Sequence, residues 1–219
     1  MIKLVSIPTL TCATCKHSLA RKSKESSAII CDFCQTIFWF SPEEDPWKKN
    51  AGIKKELLSV IGIGSNLQIK KQSYEVIGLI EWHLTNDVKL FWNLLDSEGN
   101  ISWLLECHGL FYYFKNAKNH ARQIPPFEVI HVGRKLPGEY FKKEYLVVSK
   151  EVSKRYEVFG EVYFPFSTDP QLLNCEAYDP EGNLAYMFYY GKKIRLTWEG
   201  ESIDLLKCNV SPKRIEIIE

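Results

Sequence analysis

The chain has 219 residues, 25% of them charged, with a formal net charge of +1. That balance gives no global pull toward nucleic acid or an anionic membrane surface. An apolar content of 45%, with 13% aromatic residues, is that of a folded chain rather than a disordered one. No apolar run reaches the roughly 18 residues of a membrane helix, and Met1–Leu10 lacks the cleavage pattern of a signal peptide.

Four of the seven cysteines fall in the first forty residues as C-x2-C, fifteen intervening residues, C-x2-C: Cys12, Cys15, Cys31 and Cys34. This is a zinc-site spacing. Two residues between paired cysteines turn both sulfurs of a knuckle toward one ion, and the intervening hairpin brings the second knuckle to complete a tetrahedron. Residues 1–40 therefore read as a zinc ribbon holding one structural Zn2+. A segment this short cannot bury enough surface to fold alone, so the metal supplies the missing stability. His17, just after the first knuckle, reads as a surface residue. Cysteines in metal spacing suit a reducing compartment better than a disulfide scaffold, which points to the cytoplasm.

The interior of the ribbon, Lys16–Ile30, reads as a solvated finger turn with Arg21, Lys22 and Lys24 at its tip. Those three cations, with Phe33, Phe38, Trp39 and Phe40 nearby for stacking, define the alternative of a nucleic-acid-binding ribbon. Residues 1–40 carry only +3, and a metal-dependent mini-core needs the same aromatics internally.

Residues 41–56 contain Pro42 and Pro46 and eight cancelling charges, the composition of a linker. A short helix over Lys54–Val60 is compatible with the pattern. From residue 57 onward, short runs rich in Ile, Val, Tyr, Phe and Trp alternate with Gly, Asn, Asp and Pro, which signals antiparallel β structure. No segment is long and amphipathic enough for a crossover helix.

The β region repeats itself. Tyr74-Glu75-Val76-Ile77-Gly78 recurs 82 residues later as Tyr156-Glu157-Val158-Phe159-Gly160, and Asp96-Ser97-Glu98-Gly99-Asn100 recurs 83 residues later as Asp179-Pro180-Glu181-Gly182-Asn183. The matched offset indicates duplication. The expected architecture is all-β and mainly antiparallel: the ribbon (1–40), the linker (41–56), a first small barrel or sandwich (57–122), a joint (123–126), a second, related unit (127–209) and a tail (210–219).

With these motifs in view, the chain resembles a bacterial family, domain of unknown function 4178, whose members often carry an N-terminal two-knuckle zinc ribbon. The resemblance rests on Tyr74–Trp82, the Trp92–Asp96 strand, the Asp96–Glu106 hairpin and the later Tyr156–Phe164 stretch. In the usual ribbon pattern a glycine follows the second cysteine of each knuckle; here Lys16 and Gln35 stand there, at a position that often needs a positive φ. The resemblance implies no catalytic activity and suggests a part in assemblies linked to bacterial membrane stress.

Cys107-His108 is the one adjacent Cys/His pair. In a strand, neighbouring side chains point to opposite faces, and Cys107 shares its face with Ile101, Trp103 and Leu105, where a buried thiol is inert. A thiol enzyme using Cys107 is the weakest alternative. Cys175 and Cys208 read as buried small residues. Glu75, Glu81, Glu106 and Glu157 alternate with apolar residues and read as the solvent face of a sheet. Trp47, Trp82, Phe111 and Tyr112 are candidate anchors for a protein partner, because aromatics are enriched at interface hot spots. The expected function is thus a non-enzymatic zinc-binding adaptor or scaffold within a larger assembly, with nucleic-acid binding as the alternative.

Overall fold

A computed structural model describes residues 9–40, 47–49, 59–115, 124–141, 143–153, 155–163, 173–190 and 194–211. The described residues form sixteen strands and two short 3-10 turns, with no α-helix among them. In the ribbon these are β1 (Thr9–Thr11), β2 (Ser18–Ala20), β3 (Ala28–Ile30), β4 (Thr36–Trp39) and β5 (Trp47–Lys49). The first repeat supplies β6 (Asn66–Ile69), β7 (Gln72–His83), β8 (Val88–Asp96), β9 (Ile101–Cys107) and β10 (Leu110–Phe114). The second supplies β11 (Lys135–Leu136), β12 (Tyr145–Val152), β13 (Arg155–Val162), β14 (Leu173–Tyr178), β15 (Leu184–Tyr190) and β16 (Ile194–Ile203).

All pairings are antiparallel, as the alternating runs and tight turns require. The two β units are nevertheless not separate barrels or sandwiches. One sheet runs β11-β12-β14-β15-β16-β10-β9-β8-β7-β13-β3-β4-β5, with β6 beside β7, and only the β1-β2 hairpin stands apart. Each unit on its own would expose unpaired edges, which are templates for unwanted pairing. Here the edges meet instead: β10 pairs β16 and β7 pairs β13. The expected linker also carries sheet structure, since β5 pairs β4. Residues 54–58 of the expected helix, and the tail from 212 on, lie outside the described residues.

The sheet curls over its own face. Trp82 of β7 and Phe188 of β15 are five strand spacings apart, about 24 Å across a flat sheet, yet their ring centroids lie 5.2 Å apart. Phe91 of β8 likewise meets Tyr186 edge-on at 5.5 Å. Trp82, Phe91, Trp103, Val158, Phe188 and Trp198 fill the inside of this curl. The wrap does not close as a barrel. β12 bonds to β14 and β13 to β7, and among the described residues no ladder joins β12 to β13.

Both outer faces are covered as well. β6 and the 203–210 segment seal Tyr74, Leu79, Trp92 and Leu104. The 124–141 segment, which includes the expected joint, seals Val147, Cys175 and Met187. Burial on two sides explains why β9 reads as a nearly unbroken apolar run: Trp103 and Leu105 face the curl, and Leu104 faces out. Trp82 and Tyr112, expected as partner anchors, are core residues. Phe111 is half-buried against the second core, and the Trp47 side chain lies outside the described residues.

The repeated motifs explain themselves at the atomic level. Asp96 Oδ1 accepts from the amides of Glu98 and Asn100 at 2.9 Å each; Asp179 Oδ1 accepts from those of Glu181 and Asn183 at 2.9 and 2.8 Å. Gly99 and Gly182 follow with φ of 87° and 82°, the left-handed position that such a turn assigns to glycine. The glycines of the other repeat face each other: Gly78 is the register partner of Gly160. A Cβ on Gly78 would sit 2.1 Å from the Glu161 carbonyl oxygen, and one on Gly160, at φ 69°, 2.5 Å from that of Ile77. The obstructing atoms are backbone and cannot swing aside. Gly78→Ala and Gly160→Ala are each expected to cost more than about 2 kcal/mol, read as a lowered denaturation midpoint; Gly99→Ala, with nothing within 4 Å of its Cβ position, is expected to cost only the smaller strain of its positive φ.

Candidate metal centre

The ribbon builds its site from two knuckles of the same design. In the first, the Lys16 amide donates to the Cys12 carbonyl at 3.0 Å and the Cys12 amide to the His17 carbonyl at 2.8 Å. In the second, the Gln35 amide donates to the Cys31 carbonyl at 2.8 Å and the Cys31 amide to the Thr36 carbonyl at 2.9 Å. Lys16 and Gln35 take φ of 64° and 61°, the conformation that glycine would have supplied without strain. Each side chain reaches back over its own knuckle, Lys16 Nζ to the Ala13 carbonyl and Gln35 Nε2 to that of Asp32, both at 3.1 Å.

These turns bring the four sulfurs within 4.8 Å of one another. Cys12 and Cys34 Sγ lie 3.5 Å apart, as do Cys15 and Cys31 Sγ. A tetrahedron with metal–sulfur bonds of about 2.3 Å has edges of about 3.8 Å, so the set can hold one ion with four thiolates and no open position. The Thr36 hydroxyl and amide bring Cys34 down to about 6. The His17 backbone favours the Cys15 thiolate, but burial and the three neighbouring thiols outweigh it and push Cys15 up to about 12. A metal ion held there would relieve that crowding by replacing the thiol protons. None of the seven cysteines is in a disulfide.

The ribbon does not swing on its linker. β3 extends the main sheet by pairing with the end of β13, Ile29 opposite Glu161 and Ala28 opposite Val162. Glu161 is buried there and holds the finger loop: its carboxylate accepts from the amides of Lys22 at 2.7 Å and Ser23 at 2.8 Å, and from the Ser26 hydroxyl. Ser23 Oγ also donates to the Gly99 carbonyl at 2.9 Å. The finger is therefore a docked loop, contrary to the solvated tip expected from its composition. Two of its three cations are committed. Arg21 donates to the carbonyls of Ser23, Lys24 and Ser26 and stacks on Phe40 at 3.7 Å; Lys22 pairs with Glu75. Among the described residues, that leaves Lys24 as the one of the three with no such bond.

Cys107 is buried among core residues as expected, but the separation from His108 fails. His108 and Gly109 form the two-residue turn between β9 and β10, with φ of 51° and 76°, so strand alternation does not govern them. His108 Nδ1 lies 3.4 Å from Cys107 Sγ and Nε2 3.1 Å from Asp87 Oδ1, the connectivity of a catalytic triad. The electrostatics oppose that use. Burial pushes Cys107 up to about 11 despite Lys89 at 3.3 Å. Lys89 spans the interior to Glu176 and to Asp87 at 3.2 Å, and although burial disfavours its ammonium, Glu176 first among these partners raises its pKa. The four glutamates read as a solvent face also divide. Glu106 accepts from Trp92 Nε1 at 2.9 Å and Ser59 Oγ at 2.7 Å, Glu75 pairs with Lys22, and Glu81 is buried. Sequence pattern could not show this, because alternation marks a face without saying what covers it.

Compared with known proteins, this chain matches no family model, no curated protein and no solved structure. Among the described residues, no helix is long and apolar enough to cross a membrane.

Glu161→Ala is expected to release the finger loop at a cost of about 1–3 kcal/mol, seen as faster amide exchange over 22–26 with metal content unchanged. In the folded, metal-loaded protein at pH 8, Cys107 should resist iodoacetamide, because its thiol stays protonated until the pH approaches about 11; alkylation measured by peptide mass spectrometry should rise with pH over that range.

Proposed function

We propose that this protein is a non-enzymatic, zinc-binding adaptor or scaffold that works in the cytoplasm within a larger protein assembly. Zinc is the ion that four thiolates at tetrahedral spacing select, being borderline-soft and content with four-coordination. A closed tetrathiolate leaves no position for substrate, so the metal shapes a surface rather than a reaction.

The observation that carries the reading is Phe33. It sits between the cysteines of the second knuckle with 76% of its surface exposed, stacked on His17 with centroids 6.0 Å apart and planes 13° from parallel. An aromatic displayed on a metal-braced turn, itself spliced into a large sheet through β3, is a preorganised anchor for a protein partner. The engaged cations of the finger favour a protein over nucleic acid. The resemblance carried by Tyr74–Trp82 and Asp96–Glu106 directs the search for that partner toward bacterial membrane-stress assemblies.

Crosslinking and affinity purification of the full chain from its native cell should return one stoichiometric partner that Phe33→Ala loses while keeping its zinc. Retention of the same partner by Phe33→Ala, or turnover by the purified protein that Cys107→Ala abolishes, would overturn the proposal. Metal analysis should give zinc that disappears when Cys12 and Cys31 are both replaced by Ser.

A further inference from the structure

Where β7 and β13 join the two repeats, Glu81 and Glu157 are direct register partners. Like charges opposite one another on paired strands repel, and here both carboxylates are withdrawn from water: Glu81 is 5% exposed and the Glu157 side chain 13%. His83, two residues along β7, points its Nε2 between them, 3.0 Å from Glu81 Oε1 and 4.0 Å from Glu157 Oε1. One ligand atom from each of the three residues lies within 4.8 Å of the others.

One oxygen of each carboxylate, Glu81 Oε2 and Glu157 Oε2, is buried without a hydrogen bond, while His83 Nε2 faces Glu81 Oε1 at 3.0 Å. Buried polar groups are normally satisfied, and a buried carboxylate without a partner is costly. Arg155 offers some relief at the rim, its Nη2 3.4 Å from Glu157 Oε1, but it is more than half exposed and sits on the oxygen that is not the orphan. With one ligand atom of each residue within 4.8 Å of the others, a single shared cation could serve all three side chains. A proton on His83 Nε2 would serve one edge of the triangle, whereas a divalent ion about 2.0–2.2 Å from each atom would serve all three.

We infer that Glu81, His83 and Glu157 form a second metal site, which binds a divalent first-row transition ion through one imidazole and two carboxylates. The mixed oxygen and nitrogen set suits manganese or zinc, in contrast to the soft tetrathiolate of the ribbon. Three protein ligands leave coordination positions to water or to a donor group from a partner. The ion would tie strands from the two repeats together at the seam, independently of the Phe33 surface.

Manganese separates the two centres, because it competes poorly for thiolates that already hold zinc. Full-length protein holding no more than one zinc per chain, titrated with Mn2+ and followed by electron paramagnetic resonance, should take up one Mn2+ per chain, and saturating Mn2+ should raise Tm by mass action. His83→Ala and Glu81→Gln should each weaken uptake by at least about ten-fold, while Arg155→Ala, which removes a rival cation, should bind as tightly or more so. Failure of the wild-type chain to take up Mn2+, or uptake that His83→Ala leaves unchanged, would overturn the inference and leave a proton as the shared cation. His83 lies partly at the surface, so its variant provides the test if Glu81→Gln does not fold.

Discussion

The close approach of two backbones at Gly78 and Gly160 is the constraint on which the rest of the molecule depends. With no side chain on either residue, β13 can lie against β7 with the Gly78 Cα 3.1 Å from where a Gly160 Cβ would stand. That contact adds β13, and through it the ribbon strands β3-β4-β5, to the sheet that β10 and β16 already join across the two repeats. It also sets the register of everything farther along β13: one residue on, Glu161 reaches the ribbon finger, and three residues back, Glu157 stands opposite Glu81. The docked ribbon and the three-residue polar group both follow from it.

The curl of the sheet has the same origin. Once β7 meets β13 and β10 meets β16, the two meanders face each other and their inward aromatics share one core. Six or more large rings pack there at centroid distances near 5–6 Å, tilted or edge-on, the geometry that aromatic quadrupoles prefer. Into this apolar interior the chain places an ionic group, Lys89 with Glu176 and Asp87. Breaking such a pair from one side leaves an uncompensated buried charge, and its fixed partners specify how β8 of one repeat faces β14 of the other.

The ribbon is docked on the sheet and carries a four-cysteine group that can hold a metal. Its own core is four residues, Cys12, Leu19, Ile29 and Cys31, too small to stand alone. A bound ion would brace the knuckles from within, and Glu161 braces the finger from outside by accepting two amides and a hydroxyl. The positive φ of Lys16 and Gln35 is held by the amide bonds of each knuckle, and their side chains cap the turns.

By itself the sequence determined the four-cysteine group, the all-β class and the recurring turn motifs. Cysteine spacing, alternating apolar residues and turn chemistry such as Asp-x-Glu-Gly-Asn are local, and their physics acts within a few residues. Tertiary structure alone decided that the repeats fuse into one curled sheet, that Trp82 and Tyr112 are core, and that the finger is docked. It also decided that His108 turns back onto Cys107 and that Glu81, His83 and Glu157 converge. Each of these depends on which strand becomes whose neighbour or on an unsignalled turn, such as the positive φ of Lys70 and Lys71 between β6 and β7. Strand pairing is settled by the burial of edges and faces over long separations, and a pattern of alternation carries no record of its partner.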